Sequence, residues 1–568
     1  MSVLLKLLQI LGALGVFLFG MKIMSEGLQK VAGPRLKTLL GKMTGNRLSG
    51  VATGFTVTAV IQSSSATTVM VVGFVTAGLL TLTQSIGVIM GANIGTTVTG
   101  WMVALLGFKV QVSTFALPAI AVGVALTFLK KSTAKQAGEC LTGFGLLFLG
   151  LSLMKDAVPT VQGANQLVWL TNLTQYGFLS IVLFVMIGGI VTVVLQSSSA
   201  TMTLTLTLAA MGWLPYEMAA AMVVGENIGT TVTANLASIG ASQDAKRAAR
   251  AHLLFNLFGA FWVTLTLQWI LLPLVNNTVP GDPHIDFTAI QGDEDALMRG
   301  RGIITAHLAA FHTLFNILNT SMLLPFVKQL ECLVRRWVPD SPVRSHVRYI
   351  STALIETPDF LIIQVGKEMQ HMCELTRQMF SDSLHILTHP KEKLGSLVDA
   401  TLEKEDIVDQ LDVEIAKVLT MTGRAATSAS ASRRISEMLQ NTHRLERIAD
   451  HCAVLVRIAR RVHQSEPGLS SDDVGKISEL GRAVDAAMDN LGRFLANEKD
   501  DYVKNAEMLE ERIDNVRRYL RATEIQALKE GSEDVETGLA VLDVLTHLEE
   551  IGDRVASIIR STTTSRNS

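Results

Sequence analysis

QSSSAT at residues 62–67 and GANIGTTVT at 91–99 return further along the chain as QSSSAT at 196–201 and GENIGTTVT at 225–233. Both pairs share one offset, since 196 − 62 and 225 − 91 each give 134. Two motifs repeated at one spacing without a gap mark an internal duplication. The QSSS copies sit in the apolar stretches Leu48 to Leu80 and Phe178 to Met211, which are crowded with Ser, Thr and Gly and read as broken or re-entrant segments.

Around these stretches the chain is too apolar for an ordinary soluble protein. Of its 568 residues 48% are hydrophobic, and the mean hydropathy is +0.35. A bilayer core of roughly 30 Å needs about 20 apolar residues in a helix. Val3 to Leu28, Val110 to Leu129, Leu141 to Met154, His252 to Val275 and Ile303 to Val327 supply such stretches. Val3 to Leu28 is too long for the apolar part of a signal peptide and has no small-x-small cleavage pattern after it, so a retained first helix is expected. Beyond Arg344 the chain is dense in Asp, Glu, Lys and Arg. The expected division is a transmembrane domain over 1–338, with repeats at 47–108 and 178–242, a linker over 339–356 and a helical domain over 357–568.

Basic residues cluster in Lys30 to Arg47, Lys130 to Lys135, Lys246 to Arg250 and Lys328 to Arg348, whereas Gly281 to Asp295 is acidic and Asp156 to Gln175 holds no Lys or Arg. The positive-inside rule makes the four basic clusters cytoplasmic and the other two loops external, which places the C-terminal half in the cytoplasm. The first repeat then starts inside and the second outside. Inverted repeats with interrupted helices are a secondary-transporter architecture, with the substrate near the midplane where the copies meet.

The motif chemistry suits that place. Gln62, Ser63, Ser64 and Ser65, with Gln196, Ser197, Ser198 and Ser199, put hydroxyls and amides where hydrocarbon penalises them unless they line a cavity or pair. A hydroxyl donates to an anion and also offers lone pairs to a hard cation. Gly91 and Gly95 bracket Asn93, as Gly225 and Gly229 bracket Asn227, and are expected to let the backbone unwind so that helix ends face an ion. The competing reading is close helix packing through small residues. Glu226 stands where the first copy has Ala92; an acid at this depth is expected to tune ion binding, the alternative being a salt bridge or snorkelling near an interface, for instance to a lysine such as Lys22. HLLFN at 252–256 and HTLFN at 312–316 set a His and an Asn one turn apart on two helices. Helix packing by hydrogen bonds is preferred there to a proton relay through His252 and His312, because no nearby carboxylate completes a relay.

Paired QSSS motifs, each followed by a GxNIGTT-like motif, resemble the type II sodium/phosphate cotransporter family over roughly Leu14 to Phe326. The resemblance implies an all-α polytopic transporter of the bacterial inner membrane, with sodium and phosphate sharing a site on two re-entrant hairpins. Carried onto this chain, the site is Gln62 to Ser65, Asn93, Thr96 and Thr97, with Gln196 to Ser199, Asn227, Thr230 and Thr231.

From Thr357 onward the pattern is helical, with breaks near Thr388 to Lys393, Gly423 to Ser432, Gln464 to Asp473 and Lys529 to Glu533, and six helices in two three-helix bundles are expected. Acidic pairs recur four residues apart at Glu405 and Asp409, Glu446 and Asp450, Glu510 and Asp514, Glu549 and Asp553. Such repeats resemble the PhoU family, whose equivalent acidic pairs bind metal ions, and oxygen ligands of this kind suit a divalent or ferric ion. A solvated acidic face interleaved with Arg447 and Arg554 is the other reading. The PhoU resemblance adds a cytoplasmic regulatory partner or a second copy of the chain to the expected partners, and leaves a membrane-anchored phosphate sensor, or transport or export of another anion, as alternatives to phosphate symport. The formal charge of −2 gives no reason to expect nucleic acid. Cys140, Cys332, Cys373 and Cys452 are isolated and read as reduced thiols. No nucleophilic triad or Walker lysine is present, so no enzyme is expected.

Overall fold

A computed structural model describes residues 3–42, 46–109, 112–129, 132–158, 173–239, 241–290, 292–339, 358–389, 394–425, 429–464, 468–497, 500–532 and 534–567. The chain divides into two units, Met1–Ser341 and Pro342–Ser568, and the described residues of both are helical without strands. The expected linker at 339–356, apart from Pro339, lies outside the described residues, as do Lys130, Lys131, Arg344, Arg348 and most of the Asp156 to Gln175 loop.

In the first unit, α1 (Val3–Lys42) is followed by the first repeat, α2 (Arg47–Ile61), α3 (Ser64–Thr76) and α4 (Leu82–Met102). Helices α5 (Ala116–Thr127) and α6 (Ser132–Ala157) lead to the second repeat, α7 (Phe178–Leu195), α8 (Ser198–Ala210) and α9 (Tyr216–Ala237). Helices α10 (Gln243–Thr266), α11 (Leu272–Thr278), α12 (Glu294–Leu323) and α13 (Val327–Trp337) complete it. Local chemistry sets these ends. Asn46 accepts from the Ser49 N–H at 2.8 Å to start α2, Thr81 and Gln84 cap α4 reciprocally, and Pro273 sits in the first turn of α11 after a π-helical stretch, Leu267–Leu271.

Six stretches among the described residues are long and apolar enough to cross a bilayer: Leu8–Val31, Leu82–Phe108, Thr133–Ala157, Phe178–Leu195, Gln243–Thr278 and Glu294–Trp337. Two spans differ from expectation. Leu82–Phe108, which holds GANIGTT, is one continuous span, whereas the described part of the expected span at Val110 to Leu129 gives a short 3-10 turn, Val112–Phe115, and the 12-residue α5. At about 1.5 Å per residue, the 13-residue helices α3 and α8 reach about 20 Å and stop short of the roughly 30 Å core. They are the returning arms of two re-entrant hairpins.

Small residues let the helices interlock. A Cβ on Gly91 would overlap the Val51 carbonyl oxygen, and one on Gly54 the Val88 carbonyl oxygen, so α2 and α4 touch backbone to backbone. The second repeat reproduces both contacts between α7 and α9, Gly225 on Val185 and Gly188 on Met222. Gly20, Gly143 and Gly150 do the same between α1 and α6. The repeats also exchange partners: α3 packs on α9 and α10, and α8 packs on α4 and α12.

The second unit comprises α14 (Pro358–Thr388), α15 (Gly395–Ala425) and α16 (Ala429–Val462), then α17 (Ser471–Asn497), α18 (Asp500–Glu530) and α19 (Val535–Asn567). Each trio packs as a bundle, and the bundles meet through α14 with α17 and α16 with α19. Residues 498–499, between α17 and α18, lie outside the described residues and carry no Gly or Pro, so no turn residue marks this boundary in the sequence.

Replacing Gly225 by Val should wedge α7 from α9, at a cost of about 3 kcal/mol, the upper end of overpacking effects. Gly189→Ala should be tolerated, because its Cβ would meet the Gly225 carbonyl oxygen only at 3.4 Å. Yield and thermal stability of purified, monodisperse protein read both; equal behaviour of the two variants contradicts the packing account.

Candidate functional site: the two hairpin tips

Among the described residues two non-glycine residues have positive φ, Gln62 at 60° and Gln196 at 52°. They are the first residues of the two QSSS copies. Each ends one helix in the left-handed conformation, and the next serine starts the following helix: the Ser63 hydroxyl oxygen accepts from the Ala66 N–H, the Ser197 oxygen from the Ala200 N–H, both at 3.2 Å. Left-handed backbone costs a side-chain-bearing residue about 1–2 kcal/mol. A hairpin bond offsets part of it in each copy, from the Thr58 hydroxyl to Thr67 Oγ1 and from Thr192 to Thr201, both 3.0 Å. Each tip thus presents carbonyl oxygens of one helix end and N–H groups of the next helix start, a negative and a positive partial charge side by side.

Asn93, Thr96 and Thr97 on α4, and Asn227, Thr230 and Thr231 on α9, are buried. Their helices are unbroken there, which corrects the expectation that Gly91, Gly95, Gly225 and Gly229 unwind the backbone. Those glycines serve the close packing above, and the interruptions lie at the glutamines instead. The four threonine hydroxyls return to their own helix, from Thr96 to the Ala92 carbonyl and Thr230 to the Glu226 carbonyl, and from Thr97 to Ile94 and Thr231 to Ile228.

The asparagines reach across. Asn93 donates to Asn256 Oδ1 at 3.3 Å and Asn227 to Asn316 Oδ1 at 2.9 Å, while Asn256 and Asn316 donate to the His252 and His312 carbonyls, both at 2.9 Å. The paired HxxxN segments are therefore the docking strips of the two repeats. Their packing uses the asparagines, not the imidazoles: His252 Nδ1 and both ring nitrogens of His312 are buried without a hydrogen-bond partner.

Glu226 is 1% exposed. Its Oε1 accepts from the Thr205 hydroxyl at 2.9 Å and its Oε2 has no hydrogen-bond partner. The salt-bridge alternative fails, since Lys22 is turned outward and pairs with Glu26 at 3.8 Å. At the matching positions the first repeat has Val71 and Ala92, so the acid and its hydroxyl partner occur only in the second repeat.

The tips differ in a second way. Gln62 is 8% exposed, with its Oε1 accepting from Thr99 at 2.9 Å and its Nε2 donating to the Ala59 carbonyl at 2.6 Å. Gln196 is exposed, and Thr233, the counterpart of Thr99, turns back to the Thr230 carbonyl at 2.8 Å. The Gln62 side chain is closed over its motif helix and that of Gln196 is open. Ser64, Ser198 and Ser199 are buried, while Ser63, Ser65 and Ser197 are half-buried. Thr99, Asn256, Asn316 and Thr205 were not among the expected site residues; the first three lie in repeated motifs, whereas Thr205 gave no signal until its contact with Glu226 was visible.

In the helical unit both acidic faces carry arginines. Oxygen atoms of Asp409, Glu446 and Asp450 lie within 4.8 Å of one another, a spacing that suits ligands around one hard cation at about 2.0–2.6 Å, but Arg447 pairs with Glu446 at 3.7 Å and Asp450 at 3.2 Å, His443 lies 3.2 Å from Glu446, and Glu405 takes Arg457 at 3.7 Å. On the other face Glu510 pairs with Arg560 at 2.7 Å and Glu549 with Arg517 at 3.0 Å, so only Asp514 and Asp553 of that set have no ion pair among the described residues. Burial, then the charge of Asp450, pushes the Glu446 carboxyl up from 4.5 to about 7. Burial also raises Asp409, with Asp450 next, and Glu405, with Asp409 next.

With its folded value above the unfolded one, Glu446 binds a proton more tightly in the fold, so stability is lost as pH rises from about 4.5 through 7. Glu446→Gln should therefore melt higher than the parent at pH 8 and level with it at pH 4. Melting of the full-length protein across that range checks this, and a lower melting point for the variant at pH 8 contradicts it.

Comparison with known proteins agrees with the two units. The family model described as Na+/Pi-cotransporter matches residues 16–156 and 153–271, and the PhoU domain model matches 369–462 and 477–562. A Salmonella typhimurium protein named "Putative inorganic phosphate export protein YjbB" is 27% identical over 98% of this chain and 97% of its own length. The "Sodium-dependent phosphate transport protein 2A" of Rattus norvegicus is 39% identical over 107 residues, 18% of this chain and 16% of that protein. A crystal structure of PhoU from Pseudomonas aeruginosa aligns with 36% of this chain and 96% of its own at 19% identity and a TM-score of 0.34. Two hairpins built on duplicated motifs, matched twice by one phosphate-transporter model and followed by two PhoU matches, make this chain a membrane protein of the Na+/Pi-cotransporter family that carries C-terminal PhoU domains.

Proposed function

We propose that the membrane unit moves inorganic phosphate together with sodium through one site shared by the two hairpin tips. The carrying observation is the pair of left-handed glutamines, which set an N-terminal and a C-terminal helix end side by side at two tips. Backbone N–H groups at the starts of α3 and α8, with the hydroxyls of Ser63, Ser64, Ser65, Ser197, Ser198 and Ser199, suit phosphate. Carbonyl oxygens at the ends of α2 and α7, with the oxygens of Gln62, Gln196, Asn93 and Asn227, suit sodium. Thr96, Thr97, Thr230 and Thr231 line the same helices, and Glu226 adds the acidic group that a cation needs in a low-dielectric site. Opposite hairpins, with one tip glutamine held and the other exposed, support alternating access.

Direction follows the gradients. A symporter runs whichever way lowers the summed free energy of its ions, so a site of this kind serves uptake under an inward sodium gradient and efflux when phosphate dominates. The export-named relative at 97% coverage of its own length favours efflux as the working mode. The PhoU unit is the regulatory part: a metal or partner bound there changes transport only by favouring one transporter conformation over another.

Proteoliposomes given an inward sodium gradient should accumulate labelled phosphate, and reversing the gradient should release it. Flux equal in potassium and sodium overturns the coupling, and no flux at all overturns the transporter reading in favour of a sensor. Ser64→Ala or Gln196→Ala should lower coupled flux roughly ten- to hundredfold, the value of a hydrogen bond to a charged group, with membrane insertion unchanged. Parental flux in either variant removes that residue from the site.

A further inference from the structure

His312 has no part in the site above, yet its surroundings single it out. Its ring is 1% exposed, and neither Nδ1 nor Nε2 has a hydrogen-bond partner. An imidazole always carries at least one N–H, and a buried donor without an acceptor is uncommon. The ring is not loose. Trp101 of α4 donates to the Thr313 hydroxyl at 2.9 Å, and Asn227 of α9 donates to Asn316 at 2.9 Å. These bonds, one residue and about one turn beyond His312, fix α12 against both repeats.

The place matters as much as the orphaned nitrogens. A Cβ added to Gly100 of α4 would lie 3.8 Å from His312 Nδ1 and 3.2 Å from Met202 of α8. His312 therefore stands where a motif helix of the first repeat meets the re-entrant arm of the second. Gly100 follows Thr99, the donor to Gln62 at the first tip, and Met202 lies one turn beyond Ser199 of the second tip. Thr320 on the same face of α12 also leaves its hydroxyl unpaired, whereas Thr305 and Thr313 bond back to their own helix. Eight residues of helix separate it from His312 by about 12 Å, too far for one small anion to touch both, so His312 alone is assigned.

We propose that His312 is a binding residue for the transported oxyanion, donating a ring N–H to a phosphate oxygen as the ion passes between the two hairpins. The assignment rests on the phosphate-transport reading and adds a residue to it. It needs a neutral donor, not a charge, so an amide of similar reach should substitute.

Phosphate KM, sodium dependence and maximal flux are measured in proteoliposomes for the parent, His312→Gln and His312→Met, with reconstituted protein quantified. His312→Met should raise the phosphate KM about tenfold or more and leave the sodium dependence unchanged, while His312→Gln stays within about threefold of the parent. Unchanged KM in the Met variant, or Gln and Met variants impaired alike, overturns the assignment; should the Met variant fail to reconstitute, a parental KM in His312→Phe or a Gln variant raised tenfold does so. No phosphate flux in the parent counts against the transport reading itself, which keeps the two failures apart.

Discussion

A helix interrupted at membrane depth leaves N–H and C=O groups that hydrocarbon cannot satisfy, so every such break needs protein or transported ions around it. This chain makes the break twice, at Gln62 and Gln196, and much of the membrane unit serves to surround the two breaks. Glycines on α2, α4, α7 and α9 bring backbones into contact beside the tips. Threonine pairs tie each hairpin, and asparagines from α10 and α12 reach the motif asparagines of α4 and α9. Without the breaks the proposed site would lose the helix ends on which it rests.

Departures from the duplication carry as much meaning as its agreement. Val71 with Ala92 becomes Thr205 with Glu226, and Gln62 is held by Thr99 where Gln196 is exposed. Two copies with identical chemistry could bind alike from either side. Here one half holds an acid that the other lacks, so a site shared as proposed would be unequal in its two halves.

The duplication, the apolar and charge-rich halves and the place of the QSSS motifs at interrupted helices were legible because repeated motifs and apolar runs are local properties of sequence. What the glycines do was not. Gly91 in an unwound helix and Gly91 against the Val51 carbonyl leave the same trace in a sequence, and only the neighbouring helix decides between them. The same applies to HxxxN, where spacing revealed a shared face but not that the asparagines bond while the rings stay unpaired. In the helical unit the recurring carboxylates looked equivalent, yet Arg517 and Arg560 arrive from positions that no short-range pattern connects to Glu549 and Glu510.

The central claim is that both hairpins build one site for phosphate and sodium together, and binding linkage measures it without requiring a full transport cycle. Phosphate affinity of the purified protein, titrated calorimetrically at several sodium concentrations, should tighten with sodium, and sodium affinity should tighten with phosphate by the same factor. Gln62→Ala and Gln196→Ala should each abolish that mutual effect. Phosphate binding indifferent to sodium, or linkage that survives the loss of either glutamine, would contradict a shared site.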